Sequence, residues 1–364
     1  MILSLLITQR APSTKGMPAI HLPSRSDRDR LSPYMRNFCI KLAPLNVSFR
    51  TRLLSLAALA WIFCIILGGG IGSLFALYVI LYTRYWWVMA VYLMWIWVID
   101  RDIAERGGRR SRWVRSWIWW KWLQEYFPLK LVKLPGVELD PKKNYLLCGF
   151  PHGMLPTGAF NAFVYEHSGY NTYFPHHIPY GATLAPQFIL PFGRELNLSL
   201  GGISVSAKSI EYILSRPEGG HACVIVVGGA QEALYCKPST NKVVLKNRKG
   251  FVRLALRHGA PLVPVYSFGE TDLYDQLDWP FLRRFQEKLR KWIPISPIVP
   301  IGRGIFQDSF GIIPRNRPVT TVECSSLDNT APQKKNVKIQ RVDPPTPPPF
   351  LGSLKLNMTI KKIN

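Results

Sequence analysis

Apolar positions follow two different patterns along this chain. From Leu53 to Tyr82 they are unbroken apart from Ser55 and Ser73; Thr83-Arg84 interrupts, and Tyr85–Ile99 is again apolar and rich in aromatic residues. One membrane-crossing helix takes about 20 apolar residues to span about 30 Å of hydrocarbon. The run 53–99 is too long for one such helix and short for two. It predicts a hairpin that enters and returns on one side of a membrane, turning near Arg84, with Gly68-Gly69-Gly70 as the alternative kink. The competing reading is a buried core helix, which so long a stretch without charge disfavours.

From Tyr126 the apolar runs become short. Tyr145–Phe150, Cys223–Val227 and Leu262–Phe268 have the length and composition of buried strands. Gly250–Arg257 has helical spacing at Phe251, Leu254 and Ala255, and Gly259 stands where a C-terminal cap belongs. Strand, turn and helix in repetition predict an α/β domain with helices covering a sheet. Glu323–Asn364 carries Pro344-Pro345-Thr346-Pro347-Pro348-Pro349 and several lysines, with little apolar periodicity, and predicts a flexible tail. The expected organisation is an N-terminal cytosolic segment (1–52), a membrane hairpin (53–99), an α/β domain (100–322) and an atypical tail (323–364).

Charge narrows the partners. The 364 residues hold 46 Lys+Arg against 22 Asp+Glu, a net +24, which suits a polyanion: nucleic acid or an anionic membrane face. The 12 tryptophans favour the membrane, because many flank the apolar run and Trp prefers the membrane–water interface. No nucleic-acid-binding module is recognisable. Arg50 and Arg52 precede the hairpin, and Arg101, Arg106, Arg109, Arg110, Arg112 and Arg115 follow it, so both ends are expected in the cytosol. Trp113, Trp117 and Trp120, with Trp119 and Trp122 beside them, predict an interfacial helix whose arginines meet lipid headgroups. A soluble helix with a Trp-rich core face is the alternative. The six cysteines are scattered without a CxxC pair, so a reduced body is expected and no metal site.

Three segments carry candidate chemistry. His152 follows an apolar strand and sits between Pro151, which fixes φ, and Gly153, which lets a ligand approach the backbone. An imidazole at a strand end, with an ordinary pKa of ~6.5, can take a proton from an alcohol at neutral pH. By itself the triplet is short enough to be an ordinary loop. In Gly228-Gly229-Ala230-Gln231-Glu232-Ala233-Leu234, Gly228 and Gly229 open a helix whose N–H groups suit an anion or oxyanion; Glu232 is either a partner for His152 or an ordinary first-turn Glu. Arg248, Lys249 and Gly250 place cations beside another helix start, fit for CoA phosphates or equally for solvent. No Gly-x-Ser-x-Gly elbow and no Walker loop is present.

In order along the chain, these segments resemble the type-2 diacylglycerol acyltransferase family. Tyr126-Phe127-Pro128 resembles its Tyr-Phe-Pro motif, and Phe150-Pro151-His152-Gly153 its His-Pro-His-Gly motif. Gly228–Leu234 is similar to its Gly-Gly-Ala-x-Glu motif, and Asn247–Ala255 to its Arg-x-Gly-Phe segment. Leu262–Glu270 and Gly302-Arg303-Gly304 fit as well. The resemblance covers roughly residues 50–322 and leans toward the monoacylglycerol acyltransferases at Glu138–Pro141, Gly228–Leu234 and Gly304–Gly311, with the diacylglycerol and wax-ester branches open.

The resemblance implies an acyltransferase-like sheet behind a hairpin in the endoplasmic reticulum membrane, with the catalytic domain facing the cytosol. It implies transfer from acyl-CoA, a co-substrate, to mono- or diacylglycerol, with no other cofactor and no nucleic acid; homo-oligomerisation stays open. It assigns His152 as general base and Glu232 as its helper, with Pro151, Gly153, Gly228, Gly229, Arg248, Lys249 and Gly250 binding substrate. Two positions depart from the pattern. Phe150 replaces the first His, and Glu323-Cys324-Ser325-Ser326 replaces the expected Gly-x-Pro-Ile strand and final helix. Loss of that strand and helix is expected to expose sheet edge and core. The Asp five positions after the histidine in glycerophospholipid acyltransferases is Thr157 here.

Overall fold

The computed structural model describes residues 47–326 apart from 241, 278, 290–291, 293–296, 306, 308–309 and 325. Most of the N-terminal segment, the tail from 327 onward and part of Gly304–Gly311 lie outside the described residues.

The apolar run folds as broken helices. Ser48 caps α1 (Phe49–Trp61) by accepting from the Thr51 N–H, and a wide turn carries the helix to Ile66. α2 (Gly68–Tyr82) then leaves at a 63° bend, and Thr83–Tyr85 turn the chain into α3 (Trp86–Met94), which a second wide turn extends to Ile99. Both expected break points are therefore used, one at the glycines and one at Arg84. Among the described residues no single helix is long and apolar enough to cross a membrane; the bent pair Phe49–Ile65 and Gly68–Tyr82 is so only together. Large apolar side chains, Leu74, Phe75, Leu81, Trp86, Trp87 and Val98 among them, face outward. The base of the hairpin is clamped to the α/β domain. Arg109 pairs with Asp100 at 2.7 Å and Glu195 at 2.9 Å, and the fully buried Arg194 bonds Asp100 at 2.9 Å. The Trp97 indole N–H donates to the Ile189 carbonyl at 3.0 Å.

The tryptophan segment is not one interfacial helix. It forms α4 (Arg112–Arg115), capped by Ser111, and α5 (Ile118–Tyr126). Trp113 is 73% exposed, whereas Trp120 is 2% exposed and donates to the Val114 carbonyl. Arg115 faces inward: its guanidinium donates to the Leu200 and Phe163 carbonyls at 2.6 and 3.1 Å and to Glu166 at 3.3 Å. A buried guanidinium must be satisfied on every side, and these acceptors are why Arg115 serves the core and not headgroups.

The α/β domain is one seven-stranded sheet. Along the chain come β1 (Leu129–Lys133), β2 (Tyr145–Phe150), α6 (Thr157–Phe163), α7 (Tyr170–Tyr173), β3 (Ile178–Thr183), α8 (Gly193–Ser199), β4 (Gly202–Ser204), α9 (Ala207–Leu214) and β5 (His221–Val226). Then follow α10 (Gly229–Tyr235), α11 (Gly250–His258), β6 (Leu262–Phe268), β7 (Asp275–Gln276), α12 (Pro280–Leu289), β8 (Pro300–Ile301) and β9 (Val319–Glu323). The strand order is β1-β9-β6-β2-β5-β3-β4. The five strands from β6 to β4 are parallel, and β9, with β1 parallel to it, runs antiparallel to β6. β7 and β8 form a separate ribbon.

All six residues of β2 are buried, as a strand covered on both faces requires. Alternate side chains part to opposite faces: Leu146, Cys148 and Phe150 pack with Ile210, Ile213 and Ala255, while Tyr145 and Leu147 pack with Ala162, Phe163 and Tyr170. The strands over Tyr145–Phe150 and Leu262–Phe268 coincide with those predicted, β5 starts two residues earlier, and α11 ends on a left-handed Gly259.

Glu323, expected to open the tail, is the last residue of β9. It is paired with Lys133 on one side and Val265 on the other, so the sequence departure leaves no open edge at this strand. It leaves a charge problem instead. Glu323 is fully buried, neither carboxylate oxygen has a hydrogen-bond partner among the described residues, and burial pushes its pKa up to about 8. A folded-state pKa raised above the unfolded value, near 4.5, gives stability that is full at low pH and lost as pH rises through about 8. Glu323→Leu is therefore expected to raise stability by about 1–3 kcal/mol. The gain should grow with pH across that window, as thermal unfolding of the detergent-solubilised protein would show.

Candidate active site

The three central parallel strands end at the same edge of the sheet, and each hands over to one part of the site. β2 leads to Pro151-His152-Gly153, its neighbour β5 to Gly228-Gly229, and its other neighbour β6 to Gly269-Glu270. Ligands of open α/β sheets bind at such carboxyl ends.

His152 is half-buried. Its Nδ1 lies 3.2 Å from the Gly153 carbonyl. A carbonyl only accepts, so Nδ1 carries the proton and the neutral ring presents Nε2 as its basic atom. Nε2 has no hydrogen-bond partner among the described residues. Burial lowers the His152 pKa below its ordinary 6.5, partly offset by the Gly153 carbonyl, which keeps the ring neutral at physiological pH.

Among the described residues Glu232 makes no hydrogen bond to the imidazole. Its Oε1 accepts the backbone N–H of His152, and Oε2 accepts the Val244 N–H at 2.7 Å. It is 2% exposed; burial raises its pKa, while the two N–H donors and Arg248 oppose the rise. It thus ties the His152 loop, α10 and the 244–248 segment into one frame. Gly228 is needed for this: a Cβ there would lie 2.0 Å from Oε2 of Glu232. The same contact fills the space that the glycine turn was expected to leave for an anion. Arg248 donates to the Gly228 carbonyl at 3.2 Å and is otherwise exposed. Lys249 and Gly250 sit exposed at the start of α11, with no hydrogen bond to His152 or Glu232 among the described residues.

Sequence reasoning missed Glu270 as a site residue, although the motif Leu262–Glu270 contained it. Glu270 is 2% exposed, and its two oxygens accept the N–H groups of Thr157 and Gly158 at 2.8 and 2.6 Å, the first turn of α6. Burial pushes its pKa up to about 8 against the pull of those donors. It also lies under Gly153, where φ is +62° and a Cβ would come 2.6 Å from its Cγ. Only glycine meets both demands comfortably. The missing signal was spatial, since nothing in the sequence brings residue 270 beneath residue 153. A surface cleft of about 450 Å³ lies elsewhere, lined by Val98–Ile103, Glu105 and Arg106 at the foot of the hairpin, and none of these site residues lines it.

The sequence profile of the diacylglycerol acyltransferase family matches residues 78–339. The chain belongs to that family. It is 41% identical to human acyl-CoA wax alcohol acyltransferase 2 over 77% of this chain and 84% of the relative. It is likewise 41% identical to bovine 2-acylglycerol O-acyltransferase 1, over 78% and 84%, and 40% identical to human diacylglycerol O-acyltransferase 2, over 79% and 74%. A solved 1-acyl-sn-glycerophosphate acyltransferase from Thermotoga maritima covers 78% of the chain, and 88% of its own, at 15% identity and a TM-score of 0.35. In this member of the diacylglycerol acyltransferase family, Phe150 is buried in the cluster that holds Ile225, Val227 and Ala255. An imidazole there would be a polar group in an apolar cluster.

An acid limb in the pH–rate profile follows from the His152 environment. A base with a lowered pKa stays unprotonated to lower pH, so if His152 is the group that takes the proton, kcat/KM holds through neutral pH and falls with a midpoint below the ordinary histidine value. A midpoint above that value would show that another group is being titrated.

Proposed function

We propose that this acyltransferase moves a fatty acyl group from acyl-CoA to the free hydroxyl of an acylglycerol, with monoacylglycerol the preferred acceptor. The observation that carries the chemistry is His152: a half-buried imidazole at a strand end, with Nε2 open and its backbone held by Glu232. Nε2 takes the hydroxyl proton as the oxygen attacks the thioester carbon. The C–S bond breaks, and the departing CoA thiolate recovers the proton from the imidazolium. The thioester is already activated, so direct transfer needs no covalent enzyme intermediate.

The exposed cations Arg248 and Lys249 suit the CoA phosphates, and Pro151 and Gly153 flank the imidazole on the chain. The broken apolar hairpin, with its outward Trp and Leu side chains, suits residence in the endoplasmic reticulum membrane, where both lipids dissolve. The preference for monoacylglycerol rests on the wording of Glu138–Pro141, Gly228–Leu234 and Gly304–Gly311. Competition among monoacylglycerol, diacylglycerol and a long-chain alcohol for one labelled acyl-CoA tests it. Diacylglycerol should be the main labelled product; a wax ester or triacylglycerol in its place would reassign the acceptor.

A further inference from the structure

α12 is amphipathic in the reverse of the usual sense. Its protein-facing side is polar. Gln286 is 2% exposed and donates to the Pro297 carbonyl at 2.8 Å; Arg283 donates to the Leu234 carbonyl; Glu287 accepts from the Tyr235 hydroxyl at 3.1 Å. The Arg283 and Glu287 bonds fix α12 on the C-terminal end of α10, the helix that carries Glu232.

The opposite side holds Phe281, Arg284, Phe285 and Lys288, spaced i, i+3, i+4 and i+7 and so on one helical face. Phe281 is 83% exposed and Phe285 54%, and Trp292 just beyond is 86% exposed. Exposed aromatic rings interleaved with cations match a surface that is apolar beneath and negative above. We propose that this face docks on an anionic phospholipid bilayer as a second membrane contact, separate from the hairpin. The chain that leaves α12 ties it back to the hairpin's first helix. Ile298, next to the Pro297 that Gln286 holds, packs against the cluster containing Trp61 and Ile62, and Arg303, shortly after β8, bonds Ser55 of α1 at 3.3 Å.

This surface rests on the membrane location proposed above, and the test separates the two. The full chain is reconstituted in liposomes with an environment-sensitive fluorescent amino acid at Phe285, and in parallel at Leu74 of α2 and at Lys142 on an exposed loop. Lipids spin-labelled in the upper acyl chain are expected to quench the probe at 285 in phosphatidylserine-containing liposomes but not the probe at 142. Arg284→Glu with Lys288→Glu should lower the ratio of docked to undocked helix by about fivefold per charge. No quenching at 285 while 74 is quenched overturns the proposal and leaves the hairpin standing. No quenching at 74 overturns the membrane location itself. A probe at 285 that is shielded yet insensitive to spin-labelled lipid would show the face covered by protein, and would also overturn it.

Discussion

His152→Ala is expected to lower acyl transfer by about 10²–10⁴-fold, the usual worth of a positioned general base, and to leave the protein folded. Among the described residues the ring bonds the adjacent Gly153 carbonyl and no side chain, and it is only half-buried. Its removal therefore costs little packing. The frame around it remains, because Glu232 holds the residue through the backbone N–H, which alanine keeps. Rate and stability should consequently separate: an unfolding transition within about 1 kcal/mol of the parent beside a collapse in rate. Full activity in this variant would remove the base from the mechanism.

Glu270→Ala should do the reverse first, damaging stability and then activity. Two buried N–H groups, of Thr157 and Gly158, lose their acceptors, and the carboxylate that fills the space beneath Gly153 is gone. An unsatisfied buried donor costs about 1–3 kcal/mol, so with two of them a loss of about 2–6 kcal/mol is expected. Glu270→Gln keeps one acceptor and should lose less. It also removes a titration: with a folded-state pKa of about 8 against an unfolded value near 4.5, Glu270 gives stability that declines as pH rises across that window. The Gln variant should flatten that decline. Unfolding measured at several pH values, with kcat and KM on the same preparations, checks both parts. Unchanged stability would mean that α6 does not depend on Glu270.

The strands were legible because β2 and β6 are continuous apolar runs bounded by turn residues, and a buried parallel strand leaves that trace. Gly259 marked the end of α11 because only a left-handed residue closes a helix that way. The fate of Arg115 was not legible: its acceptors come from Phe163, Glu166 and Leu200, which meet it only in the folded chain. The site divides similarly. His152 and Glu232 follow neighbouring strand ends, which the apolar runs mark, but that Glu232, expected as a helper of His152 or an ordinary first-turn Glu, accepts the His152 backbone N–H was not legible. Glu270 escaped notice because its role lies in contacts with residues 153, 157 and 158, far away in sequence.

The most direct test of the account is the stoichiometry of CoA release. Membranes containing the protein are given labelled acyl-CoA with and without 2-monoacylglycerol, and free CoA and labelled diacylglycerol are measured together. Direct transfer assisted by His152 predicts CoA release that needs the acceptor, matches diacylglycerol mole for mole, and disappears in His152→Ala. CoA released equally without acceptor, or no ester formed while the protein is folded in the membrane, would contradict it.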